Sequence, residues 1–163
     1  MENSSEILVF FGGRDVHPEF SQWFQASFVE DGITFQNCEQ YMMYHKAMLF
    51  GDTDTASTIL KTRNAAKIKS LGRKAKGFVQ SVWEEKRYEI VRNGNYLKFS
   101  QNPELKQLLL ATGEQVIAEG NGHDPIWGIG LFPSNPDCQD PTKWNGLNLL
   151  GQALMDVRTQ LRQ

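Results

Sequence analysis

The sequence predicts a mainly α-helical chain with a minor β element, an α+β single domain over residues 1–163. Three observations carry that prediction. Stretches with helix caps and helical spacing of apolar residues fill roughly half of the chain. Strand candidates are few and short. Strands and helices do not alternate as a parallel α/β sheet requires. A chain of 163 residues has the size of one domain and can bury most of its apolar surface around one core. Hydrophobic residues at 40% and charged residues at 22% are ordinary globular values, so neither disorder nor a fibrous repeat is indicated.

Taken in order, Ile7 to Phe11 is an apolar strand candidate. Ser27 to Glu30 and Ile33 to Phe35 flank Asp31-Gly32, a pair suited to a type I′ hairpin turn. Asn37 is an N-cap with Gln40 three residues on, and the helix it opens runs to Phe50 before Gly51 stops it. Asp54 to Lys61 and Ala65 to Leu71 read as short helices, the second capped by Asn64 and stopped by Gly72. Ser81 and Glu84 form a capping-box signature for a long helix to about Ser100, weakened locally by Gly94. Asn102-Pro103 opens a helix that ends near Thr112-Gly113, and Gln115 to Glu119 is a short strand candidate. The proline-rich stretch Phe132 to Lys143 reads as a surface loop. A last helix begins near Gly146 with the apolar stripe Leu147, Leu150, Leu154, Val157 and Leu161.

Composition narrows the function classes. A net charge of −2, from 17 basic and 19 acidic residues, argues against charge-driven binding along a nucleic-acid backbone. A local phosphate pocket is compatible with this balance, and Arg63 to Lys76 form a basic stretch that reads first as a solvated helix face. Cys38 and Cys138 are too few for a disulfide framework and lack metal spacing, and His17, His45 and His123 lack it too. No Rossmann or P-loop signature is present. Neither metal nor cofactor is therefore expected. The residues from Met1 carry no signal-peptide pattern and no stretch approaches the length of a membrane span, so an intracellular location, cytoplasmic or nuclear, is expected.

On a helical wheel Glu39 and Lys46, seven residues apart, return to nearly one direction and share it with Met42, Met43 and Phe50. Two charges on an apolar stripe require a partner or a polar ligand, because burying either alone costs several kcal/mol. One reading is that Lys46 snorkels and Glu39 favours the helix N-terminus. The other is that both line a pocket, where desolvation turns the lysine into an amine nucleophile or proton donor. Asp124 precedes Trp127, Gly128 and Gly130, a combination in which backbone can approach a ligand beside an indole that stacks. Gly12-Gly13-Arg14 could admit and pair a phosphate, or form an ordinary turn.

Taken together, several motifs resemble the NADAR, or YbiA-like, family. They are Phe20 to Phe24, Phe35 to Ala47, Lys67 with Gly72-Arg73, Lys98 to Leu105, Asp124 to Gly130, and Gly146 to Gly151 with Leu154-Met155 and Arg158. The family more usually has Ser-Asn-Phe-Tyr where this chain has Ser21-Gln22-Trp23-Phe24, and proline near Asn64-Ala65.

The resemblance implies a mostly helical domain linked to NAD and ADP-ribose metabolism, cutting the bond between ribose C1 and a nitrogen. The expected substrate is an ADP-ribosylated guanine, free or in single-stranded DNA or RNA. The alternatives are a phosphoribosylamino-pyrimidine intermediate of riboflavin synthesis and a sensor that binds ADP-ribose without turnover. It makes Lys46, Glu39 and Asp124 the expected catalytic groups. Trp127, Trp23 and Phe24 are the expected stacking residues, Arg14 and Arg73 the expected phosphate ligands, and Gly128 and Asn148 further ligand contacts. The stretch Phe132 to Lys143 is expected to add a substrate-specific wall.

Overall fold

The computed structural model describes residues 6–163; residues 1–5, the start of the expected domain and of the segment read for a leader, lie outside the described residues. Strand β1 (Leu8–Phe10) pairs in parallel with β4 (Ile117–Glu119), placing Phe10 opposite Glu119. Strands β2 (Phe28–Glu30) and β3 (Ile33–Phe35) form a separate antiparallel hairpin. Asp31 and Gly32 both have positive φ, 51° and 81°, as the two-residue type I′ turn demands.

Six α-helices make up the rest of the framework among the described residues: α1 (Cys38–Leu49), α2 (Thr53–Leu60), α3 (Ala65–Arg73), α4 (Gln80–Gln101), α5 (Pro103–Ala111) and α6 (Leu149–Leu161). Their starts follow from side-chain caps. Asn37 accepts from the Gln40 amide at 2.9 Å, Asp52 from Thr55 at 3.1 Å and Asn64 from Lys67 at 3.0 Å, each satisfying a donor that the helix leaves unpaired. Helix α4 packs on α1 and α6, and α1 packs on α2 and α3. Between them lies a core in which Phe10, Phe99, Ile117, Leu150, Leu154 and Val157 expose no surface. Burial of each such side chain stabilises the fold by about 1.5–3 kcal/mol.

Several local expectations are corrected. Gly72 does not stop α3 but lies inside it, buried, where a Cβ would overlap Met43 Sδ. It is there to let α3 approach α1. Gly94 likewise leaves α4 unbroken and makes room for the Tyr41 ring, 2.6 Å from where its Cβ would be. The Ser81–Glu84 capping box does not form, because α4 begins two residues earlier than a Ser81 cap would set, with Val79 at its N-cap, and Glu84 instead accepts from the Gln80 side chain at 2.6 Å. The last helix starts at Leu149, three residues beyond Gly146, and Leu147 sits outside its stripe with 61% of its surface exposed.

The stretch Phe132 to Lys143 is more ordered than a plain loop. It contains two short 3-10 turns, Pro136–Gln139 and Pro141–Lys143, and buries Cys138 against Ile7, Ala118 and Ile129. The Gln139 side chain bonds both the N–H and the C=O of Ile7, at 2.9 and 3.0 Å, in place of a further strand. Cys38 and Cys138 are both free thiols. No helix among the described residues is long and apolar enough to cross a membrane.

Candidate active site

A cavity of about 450 Å³ opens between α1, α3, the start of α4 and the segment that follows β4. Helix α1 presents Glu39, Met42, Met43 and Lys46 to it, spaced as one helical face. Helix α3 adds Lys69 and Arg73, one turn apart, and α4 adds Trp83. The opposite wall is Glu119 with Asn121, His123, Asp124 and Trp127, and the segment before β2 supplies Gln22 and Trp23.

Of the residues singled out in the sequence, Glu39, Lys46, Asp124, Trp23, Arg73 and Trp127 line this one cavity. Four others do not. Phe24 is half-buried and packs against the main core. Arg14 is exposed, with its guanidinium 4.1 Å from the centre of the Phe132 ring. Gly128 is buried between Asp124 and Glu119, whose carbonyl oxygens lie 3.0 and 3.1 Å from where its Cβ would be. Asn148 is buried and spends its amide on β4, accepting from Glu119 N–H at 3.0 Å and donating to Ile117 C=O at 2.9 Å. None of Phe132 to Lys143 lines the cavity, because that stretch packs on the far side of β1.

Sequence reasoning missed Gln22, Lys69, Glu119, Asn121 and His123. A signal existed for two of them: Lys69 and Arg73 stand four apart in the basic stretch, and Glu119 ends an apolar strand immediately before Gly120.

The charges in this cavity are held away from their usual states. Burial pushes the Glu39 carboxyl up to about 7; Lys69, Lys46 and Arg73 pull it back, while Asp124 adds to the rise. Burial likewise pushes Glu119 up to about 8, helped by the negative charges of Asp124 and Glu39. Lys46 is lowered, first by burial and then by Arg73, with Glu39 opposing. Its Nζ lies 4.8 Å from the centre of the Phe78 ring and 5.3 Å from that of Trp83. No carboxylate stands within ion-pair distance of it among the described residues. Asp124 is fixed by its own turn, with Oδ1 accepting the N–H groups of Ile126 and Trp127 at 3.0 and 2.9 Å. That turn carries Trp127 to the cavity wall.

Such an arrangement supplies a buried amine whose pKa is lowered, two carboxyls whose pKa values are raised to about 7 and about 8, and two exposed cations. Residues 9–162 match the family model described as the NADAR domain. The chain belongs to the NADAR family. Its relatives in that family include N-glycosidase R617 of Acanthamoeba polyphaga mimivirus, 42% identical over 168 residues that cover 98% of this chain and 99% of R617. N-glycosidase YbiA of Escherichia coli strain K12 is 28% identical over 155 residues. The NMR structure of E. coli YbiA matches with a TM-score of 0.80 and 27% identity over 99% of this chain and 88% of that one. Riboflavin biosynthesis protein VVA0006 of Vibrio vulnificus strain YJ016 is 27% identical, but the match spans only 39% of its length. The likeness to YbiA extends the mainly helical NADAR fold, with its two small sheets, across the whole described chain.

Proposed function

We propose that this NADAR protein is an N-glycosidase that hydrolyses the bond between ribose C1 and the nitrogen of an ADP-ribosylated guanine, with Lys46 as nucleophile and without a metal ion. One observation carries the reading. Lys46 is a buried lysine with no carboxylate in ion-pair range among the described residues, in the same cavity as Glu39 and Glu119. Burial and the nearby Arg73 charge lower the lysine pKa, which raises the share of neutral amine, and a neutral amine attacks carbonyl-level carbon.

The chemistry then runs as follows. The sugar ring opens as C1–O4 breaks and O4 takes the Glu119 proton, which leaves C1 doubly bonded to the base nitrogen; Lys46 Nζ adds to C1 and returns one proton to Glu119, and the C1–base bond breaks as the base nitrogen takes a proton from Glu39. The lysine is left as a protonated imine of the sugar. The Asp124 carboxylate stabilises that positive charge. Water adds to C1, the C1–Nζ bond breaks, and free sugar and free amine are released. Trp127 and Trp23 offer stacking faces for bases, and Lys69 with Arg73 offers two cations for the diphosphate. A modified base within nucleic acid reaches such a cavity from a single strand or after extrusion from a duplex.

A second substrate class is favoured by one relative, since VVA0006 is named for riboflavin biosynthesis, and a cavity of about 450 Å³ has room for a ribose, one phosphate and one ring. That substrate is a phosphoribosylamino-pyrimidine. Incubation with ADP-ribosylated guanosine and, separately, with the pyrimidine, followed by mass spectrometry of released base and sugar, distinguishes the two. Release of guanosine supports the first reading and release of the pyrimidine the second. Both ligands bound and unchanged would make the protein a sensor.

A further inference from the structure

Two of the motifs that carry the family resemblance meet in space: Phe20 to Phe24, and the stretch that begins at Lys98. Ser21 to Phe24 form a turn, closed by Phe24 N–H donating to the Ser21 carbonyl at 3.2 Å. The two residues at its tip, Gln22 and Trp23, both line the cavity. The turn belongs to no strand or α-helix, so its backbone groups need partners from elsewhere. Helix α4 supplies most of them. Lys98 Nζ donates to the Ser21 carbonyl that closes the turn, at 3.1 Å, and to the Glu19 carbonyl at 2.6 Å. Asn95, three residues back on the same face of α4, donates to Gln22 Oε1 at 2.8 Å. Asn102, at the C-cap of α4, donates to the Ser27 carbonyl at 3.1 Å. From α1, Glu39 N–H donates to the Gln22 carbonyl at 3.0 Å.

Lys98 is the unusual member of this set. It exposes no surface, and no carboxylate stands within ion-pair distance of it among the described residues. Burying an ammonium without a counter-charge is costly and needs compensation. Two carbonyls provide it, together with the rings of Phe24 and Phe99, whose centres lie 5.5 and 4.8 Å from Nζ. Burial pushes the Lys98 pKa down to about 8, while Cys38 and Glu19 draw it back up, so at neutral pH the group is mostly ammonium. A methionine would fill the same space without that cost, but it could not bridge the two carbonyls. Lys98 does not itself line the cavity.

We infer that Lys98 is a positioning residue for substrate binding: it fixes the Ser21–Phe24 turn so that the Trp23 indole is held at the cavity as a stacking wall, and it does so without touching the substrate. Trp23 needs that support because 38% of its surface is exposed, so packing alone restrains it little. Without the two Lys98 bonds the turn gains freedom, and a ligand then has to order it on binding, which weakens affinity. The inference rests on the proposed reading of Trp23 as a stacking residue of the glycosidase site.

The test uses Lys98→Met and Lys98→Gln, each alone and combined with Trp23→Ala, with thermal melting to report folding. Hydrogen exchange followed by mass spectrometry reads the turn directly. In a folded Lys98 variant the peptide spanning Ser21 to Phe24 is expected to exchange at least about tenfold faster, while peptides from α6 keep wild-type rates. Calorimetry measures binding of ADP-ribose and of ribose 5-phosphate, the sugar products of the two proposed reactions. A Lys98 variant is expected to bind the preferred sugar about tenfold more weakly, and the same substitution in the Trp23→Ala background to change little. Turnover of ADP-ribosylated guanosine is expected to show the loss in KM, with kcat within about threefold. Unchanged exchange in the turn, unchanged affinity, a tenfold loss that persists without Trp23, no binding of either sugar by the wild type, or failure of both variants to fold overturns the inference. Sugar binding that responds as expected, with no cleavage of any glycoside, removes the glycosidase reading and leaves the role of Lys98 standing. Cleavage with equal affinity in all variants does the reverse.

Discussion

The backbone N–H of Glu119 donates to Asn148 Oδ1 at 3.0 Å, and the other end of the same amide holds Ile117 C=O at 2.9 Å. Asn148 adopts a left-handed conformation, φ 54°, just before α6, and so bridges the final helix to the last strand. Replacing it with glycine keeps that backbone but deletes both bonds. Asn148→Gly is expected to lose about 2 kcal/mol of stability and to lower kcat/KM by releasing Glu119. Denaturant unfolding and steady-state kinetics check both parts.

The raised carboxyls make stability depend on pH in a stated direction. An acid whose folded pKa lies above its unfolded value binds more protons when folded, so its contribution is full below the unfolded pKa and is lost as pH rises through the folded one. For Glu119 that window runs from 4.5 to about 8, and for Glu39 from 4.5 to about 7. Glu119→Gln is therefore expected to match the wild type near the acid end of the window and to exceed it by roughly a few kcal/mol above its alkaline end. Unfolding curves at the two pH extremes measure this. A wild-type protein that gains stability across the window would contradict it.

The sequence made the helices legible because their starts are local chemistry: Asn37, Asp52 and Asn64 each bond an amide three residues ahead. The shared direction of Glu39 and Lys46 was legible for the same reason, since seven residues return a helix to one face. What was not legible depends on neighbours remote in the chain. Gly72 reads as a helix stop until Met43 is placed against it. Glu119 reads as the polar end of a short strand until β4 is paired with β1 and turned toward Glu39. Asn148 reads as a ligand contact, yet both ends of its amide are used on β4.

Gly72 offers a mutation that reaches the cavity through packing alone. An alanine Cβ there would displace the Met43 side chain, which lines the cavity. Because the thioether is flexible, Gly72→Ala is expected to fold with a stability loss of about 1 kcal/mol and to raise KM. Thermal melting and substrate titration separate the two effects. Unchanged KM would show that Met43 moves elsewhere.

Lys69 and Arg73 are exposed, so their replacement leaves the fold intact. Under the proposed function they meet the phosphates. Arg73→Ala is expected to raise KM about tenfold with little change in kcat, and added salt is expected to raise the wild-type KM more than that of the variant. Steady-state kinetics at two ionic strengths decide it.

The central claim is that Lys46 forms a covalent bond to the sugar. Borohydride added during turnover reduces an imine to a stable amine, so peptide mapping by mass spectrometry is expected to find a sugar adduct on Lys46 and none in Lys46→Ala, which should also lose at least about a hundredfold in activity. No adduct on the wild type, together with full activity in Lys46→Ala, would contradict the account.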